Sequence, residues 1–141
     1  MEEALEKLEI YRMAHAFAVE VHAMSFKLPS FEAHEEGPQI RRSSKRVSAS
    51  IVEGFTQRKY KGQFLIYLYR ALGSSDETQE HLRLLRDTRS VSDFALCRNL
   101  LKSYEHLSGK IFSYICTVEW RHGVPRYLQS AEPPPVPEDS H

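Results

Sequence analysis

Four stretches of this chain carry their apolar residues in alternating steps of four and three, the spacing that returns to one side of an α-helix. The first stretch walks through Ile10, Ala14, Phe17, Val21, Met24 and Leu28. The second passes Ile40, Ser44, Val47, Ile51 and Gly54, and the third Phe64, Leu68, Ala71, Ser75, Thr78, Leu82 and Leu85. The fourth carries Cys97, Leu100, Tyr104, Leu107, Ile111, Tyr114 and Val118. The punctuation between them agrees. Pro29 disfavours a helical residue before it and stops the first stretch. Gly37-Pro38 suits the first turn of the second, where the N–H that proline lacks is not needed. A turn falls at Arg58–Gly62, Ser92 or Asp93 offers an N-cap oxygen, and Gly123 followed by Pro125 closes the fourth. No stretch alternates as a strand does.

These signals predict an all-α protein with helices at about 3–28, 38–57, 62–88 and 93–122. Short connections make sequence neighbours antiparallel, so the expected architecture is an up-down-up-down four-helix bundle over residues 1–128. The Pro-rich, acidic residues 129–141 hold too little apolar surface to order themselves and are expected to be a disordered tail. A length of 141 residues suits one domain. The opening MEEALEKLEIYR has no apolar core of the kind a secretory leader needs, and no apolar run approaches membrane-spanning length, so a cytoplasmic protein is expected.

The second stretch places Ser and Gly where its neighbours place larger side chains. Small residues let another helix approach closely, which marks this segment as central and tightly packed; glycine costs about 1 kcal/mol there relative to alanine. Glu53 and Glu77 each lie one step from a seam. Pointed inward they need partners, because an unpaired buried carboxylate is very costly. Arg41 and Arg42, with Lys45 and Arg46 close by, offer bidentate or simple ion pairing, and a buried polar network of Arg41, Arg42, Glu53 and Glu77 is the expectation. The alternative is a pair of solvated boundary glutamates.

Searches for chemistry return little. The bundle holds one Glu-x-x-His, Glu119 to His122, where a di-metal centre needs a paired set, so no metal is expected. His15 and His22 share a face with Arg12 and Glu20 and read as solvated. Gly-x-Ser-x-Gly, Walker and dinucleotide-binding signatures are missing, so neither a catalytic residue nor a cofactor is expected. Cys97 and Cys116 form no Cys-x-x-Cys and read as free thiols.

Two surface readings remain. The third stretch begins FLIYLY, apolar on every face, and such a helix must be covered on more than one side. A self-association interface through Leu65, Ile66, Tyr69 and Leu72 follows. Lys45, Arg46, Arg58, Lys59 and Lys61 form a candidate polyanion patch. Against it stands the balance of 19 basic and 19 acidic residues, for a net charge of zero, because nucleic-acid affinity rests largely on phosphate neutralisation.

The segments Gln39-Ile40-Arg41-Arg42, Ile51-Val52-Glu53-Gly54-Phe55 and Phe64…Tyr67-Leu68…Ala71-Leu72-Gly73-Ser74…Glu77 together resemble a known family. Leu8…Tyr11…Ala14 and Leu28-Pro29 fit as well. It is the four helix bundle protein family, also described as proteins encoded in intervening sequences of bacterial 23S rRNA genes. The resemblance covers residues 5–90; the chain departs from it at Ser48, where proline is usual, and at Ser50, where asparagine is. It implies an up-down bundle, a ring-like homopentamer and no enzyme activity. A related branch, the accessory variability proteins of diversity-generating retroelements, forms similar pentamers that bind a reverse transcriptase and nucleic acid; the zero net charge fits that branch poorly. The two functional expectations are thus a self-assembling scaffold or adaptor with a protein partner, and a nucleic-acid-associated accessory factor.

Overall fold

A computed structural model of the chain describes residues 2–123, and the expected disordered tail lies outside the described residues. Among the described residues five α-helices follow one another: α1 (Glu2–Glu6), α2 (Glu9–Ser25), α3 (Glu36–Thr56), α4 (Lys61–Asp87) and α5 (Phe94–Gly123). A 3₁₀ turn at Ser30–Ala33 joins α2 to α3. Among the described residues there is no strand. The four long helices pack as an all-α bundle, in which α3 meets α4 most extensively, α5 packs on α4, and α2 packs on α3 and, to a smaller extent, on α5.

The first helix is interrupted where the sequence suggested continuity. Leu8 adopts an extended conformation (φ −82°, ψ 111°) and separates α1 from α2. The Arg12 guanidinium donates to the Glu6 carbonyl at 2.6 Å, taking up an acceptor that the break releases. At its other end α2 stops at Ser25, before Pro29, and Leu28 packs against the core from the following loop. The third helix of the chain starts at Glu36, which places Pro38 within its first turn, where proline costs nothing. Asp93 caps α5, its Oδ1 accepting the Leu96 N–H at 2.9 Å.

The apolar seams converge in one core. Val21, Ile40, Val47, Ile51, Leu68, Leu82, Leu85, Leu107 and Ile111 are fully buried. Each such side chain contributes about 1.5–3 kcal/mol relative to exposure. The small seam residues act as their spacing suggested. A Cβ on Gly54 would sit 2.9 Å from Tyr67 Cβ, so its absence is what allows α3 and α4 to close on one another. A Cβ on Gly37 would lie 2.7 Å from the Glu32 carbonyl oxygen, so glycine is equally required where α3 passes the 3₁₀ turn.

Candidate functional site

The middle of the α4–α5 interface is polar. Ser75 Oγ lies 2.8 Å from Ser108 Oγ, and Gln79 Nε2 donates to Ser108 Oγ at 2.9 Å and to the Tyr104 carbonyl at 3.2 Å. Ser108 in turn donates to Asp76 Oδ1 at 2.7 Å. One helical turn away, Thr78 donates to the Ser74 carbonyl at 2.8 Å, leaving its oxygen to accept from Ser43 Oγ of α3, also at 2.8 Å. Ser43, Ser75, Thr78, Gln79 and Ser108 are all buried, and each has a partner. A satisfied buried network of this kind fixes the register of neighbouring helices while adding little reactivity. Sequence reading credited Ser75 and Thr78 only as seam positions; the signal available was their spacing with Ser74, Gln79 and Ser108.

The expected network of arginines and glutamates is not what the structure builds. Glu53 and Glu77 are exposed. The reason is angular: one step along a helix rotates the side chain by about 100°, so the neighbour of a seam residue falls on the flank of the helix rather than inside. Glu77 meets Arg46 at 3.9 Å across a half-exposed surface, a pairing worth about 0–1 kcal/mol. Arg42 is exposed. Arg41 is half-buried, but its partners are the Ser25 hydroxyl at 3.0 Å and the face of Phe26 at 4.8 Å, which fasten the end of α2 to α3. The solvated alternative therefore holds for both glutamates.

A histidine unmarked in the sequence engages one of them, Glu77, together with Glu36. His81 Nδ1 lies 2.6 Å from Glu36 Oε2, and its Nε2 lies 3.4 Å from Glu77 Oε2. The three residues connect the start of α3 to the second half of α4. Among the described residues no three His, Cys, Asp or Glu side chains form a group able to hold a metal ion, and no helix is long and apolar enough to cross a membrane.

The candidate interface divides. Leu72 is buried in the core and Leu65 packs partly against it, so neither offers a free surface. Both lie on the side of α4 that α3 and α5 cover. Ile66 and Tyr69, three residues apart on the adjoining flank, are 47% and 48% exposed. Tyr69 stands near Cys116 and Glu119 of α5; burial, then these two groups, push its phenol up. Gly73, seven residues after Ile66, lines an open groove between α3 and α4 with Arg46, Glu53, Arg70 and Glu77, and a Cβ added to it would meet nothing within 4 Å.

The basic patch divides too. Lys45 borders a groove between α2 and α3 with His15, Val19 and His22, whereas Arg46 faces α4. Arg58, Lys59 and Lys61 lie about 20 Å further along, at the 1.5 Å rise of α3, in and beside the turn leading to α4. The helical repeat turned Lys45 and Arg46 onto different sides, so the five residues form no continuous surface.

Against this geometry, known proteins give a consistent answer. The model of the 23S rRNA-intervening sequence protein family matches residues 6–113. The chain belongs to that family. A crystal structure of a protein of unknown function from the S23 ribosomal protein family, from Bacteroides thetaiotaomicron, superimposes with a TM-score of 0.68. It is 22% identical and the alignment covers 75% of this chain and 97% of that one, which supports a shared fold. No functionally curated protein matches the chain. Family and neighbour alike carry no indication of an enzymatic class.

Proposed function

We propose that this family member is a non-enzymatic cytoplasmic scaffold that assembles with copies of itself through the open side of α4 and α5. The ring-like pentamer implied by the family resemblance is the expected arrangement. The observation that supports self-assembly is the exposure of Ile66 and Tyr69, with the open Gly73 one to two turns along the same helix. Gly73 lies within a 27-residue helix, where glycine costs about 1 kcal/mol relative to alanine. Nothing inside the chain uses the space that the missing side chain leaves. A helix of a second copy would use it, because glycine permits close backbone approach, and Ile66 and Tyr69 would then be covered.

The separation of Lys45, Arg46 and the Arg58–Lys61 group on the described surface makes the accessory-factor reading the weaker one, since polyanion affinity scales with the phosphates neutralised together. Sedimentation velocity over a range of concentrations tests the proposal. A species several times heavier than the 16.4 kDa chain is expected. A single sedimenting species of chain mass at all concentrations would refute it.

A further inference from the structure

The flank of α2 that looks toward α3 carries a row of rings beside an open groove. Tyr11 and His15 meet with centroids 5.8 Å apart, and His22 meets Phe26 edge-on at 4.9 Å. Between these two pairs runs a groove of about 240 Å³, lined from α2 by His15, Val19 and His22 and from α3 by Lys45. Val19 is 58% exposed and Phe26 66%, so the bundle leaves apolar surface uncovered along the row. Single exposed apolar residues are ordinary. Here they are aligned with rings, and the charge around them has one sign. No carboxylate is among the described residues that line the groove, Lys45 stands on its α3 side, and the Arg41 guanidinium lies over the Phe26 ring at 4.8 Å. Glu20, next to Val19 in the chain, is turned toward α5, where its charge acts on Tyr104.

An acidic, proline-rich segment fits such a surface, because the extended polyproline helix loses little entropy on docking and seats its rings in aromatic-lined grooves. The chain supplies one. Residues 132–139 read Glu-Pro-Pro-Pro-Val-Pro-Glu-Asp, with three carboxylates and no base. The lengths agree. Tyr11 to Phe26 spans about 22 Å at the helical rise, and residues 133–139 span about 22 Å at the polyproline rise. The reach agrees as well. Lys110 of α5 pairs with Glu9 at 3.5 Å, which sets the start of α2 level with Lys110. Phe17 meets Tyr104 at 5.6 Å, so α5 descends as α2 rises. The end of α5 at Gly123 then lies about 20 Å beyond the start of α2, and about 23 Å from the level of Tyr11. Residues 124–132 bridge about 30 Å when extended.

We propose that the groove between α2 and α3 is the docking site of the chain's own segment 132–139, bound in cis as a polyproline helix. Its prolines and Val136 lie against the ring row and Val19, and its carboxylates face the cationic α3 side, attracted by charge rather than by a fixed hydrogen bond. The site is independent of the self-assembly proposed above, because it uses α2 and α3 and neither Ile66 nor Tyr69.

NMR of the full chain with labelled valine methyls tests it, with Val136 as the reporter. Docking should displace the Val136 methyl signals from their random-coil positions through the ring currents of the row, and should give a nuclear Overhauser contact between Val136 and Val19. Val19→Glu and Lys45→Glu both change exposed positions. Each should return Val136 to its random-coil shifts at unchanged helicity, because a carboxylate then faces the acidic segment. Val136 at random-coil shifts in the parent would overturn the proposal, and so would shifts indifferent to both variants. Co-expression of Val19→Glu copies with Val136→Ala copies, whose grooves are intact, separates cis from trans. Val136 should stay undocked in that mixture; docking regained there would mean that a second copy supplies the segment, and would overturn the cis assignment.

Discussion

The two halves of α4 solve opposite problems. From residue 74 onward the helix buries Ser74, Ser75, Thr78 and Gln79. The side chains of Ser75, Thr78 and Gln79 are bonded to α3, to α5 or within α4, and the Ser74 carbonyl accepts from Thr78. Its first half, Phe64 to Tyr69, buries Phe64 and Leu68 but leaves Ile66 and Tyr69 about half exposed. The polar half is satisfied within one chain; the apolar half leaves part of its surface open. Polar groups can be satisfied only by specific partners at specific distances, so the bundle had to supply them internally. Apolar surface is less exacting and can be left for another copy to cover.

The largest expected effect tests the polar half. Ser108 accepts from Gln79 and donates to Asp76, and it also meets Ser75. Ser108→Ala removes the hub and leaves these buried groups without that partner, so it should destabilise the fold by about 1–3 kcal/mol in denaturant melts. A Ser108→Ala variant as stable as the parent would mean that the network is dispensable.

A smaller and opposite effect is expected at Tyr104, whose carbonyl serves the network while its buried Oη has no hydrogen-bond partner. Burial pushes this phenol up; the Ser44 hydroxyl beside it works the other way. The neutral form is therefore favoured in the folded protein. Below the usual tyrosine range of about 10, folded and unfolded chains are both protonated and the full stability is present. As pH rises past it, the unfolded chain ionises first and binds fewer protons, so stability falls until the folded phenol ionises as well. Tyr104→Phe should flatten this alkaline loss, while at neutral pH it should cost no more than about 1 kcal/mol, the most that losing the Ser44 hydroxyl beside Oη would forfeit. An unchanged alkaline slope would show that Tyr104 does not govern it.

The smallest effect is expected at the sequence motif itself. Glu53 is exposed, so Glu53→Ala should change stability by no more than about 0.5 kcal/mol. A loss of several kcal/mol would place its carboxylate in a paired, buried setting after all.

The sequence made the fold legible because four apolar walks, each following the helical repeat, admit few arrangements. It also disclosed that another helix approaches α3 closely, from the small residues of its seam, and the structure shows that at Gly54 this helix is α4. The polar centre was harder to see. Serine and threonine at seam positions look like small spacers, and only the pairing of α4 with α5 brings Ser75 and Gln79 to Ser108. Glu53 and Glu77 misled for a related reason: adjacency to a seam suggests burial, but a rotation of about 100° per residue carries them to the surface. Leu72 misled in the reverse direction. An all-apolar run does not reveal which of its faces neighbours already cover, so an inner leucine was grouped with outer Ile66 and Tyr69.

The most direct measurement of the central claim is the light-scattering mass of the Ile66→Glu/Tyr69→Glu double variant beside that of the parent chain. The account predicts a multimer for the parent and a monomer of unchanged helical content for the variant, because two carboxylates would be left uncompensated in a closed apolar contact. A variant that keeps the parent's multimeric mass, or a parent that is itself monomeric, would contradict it.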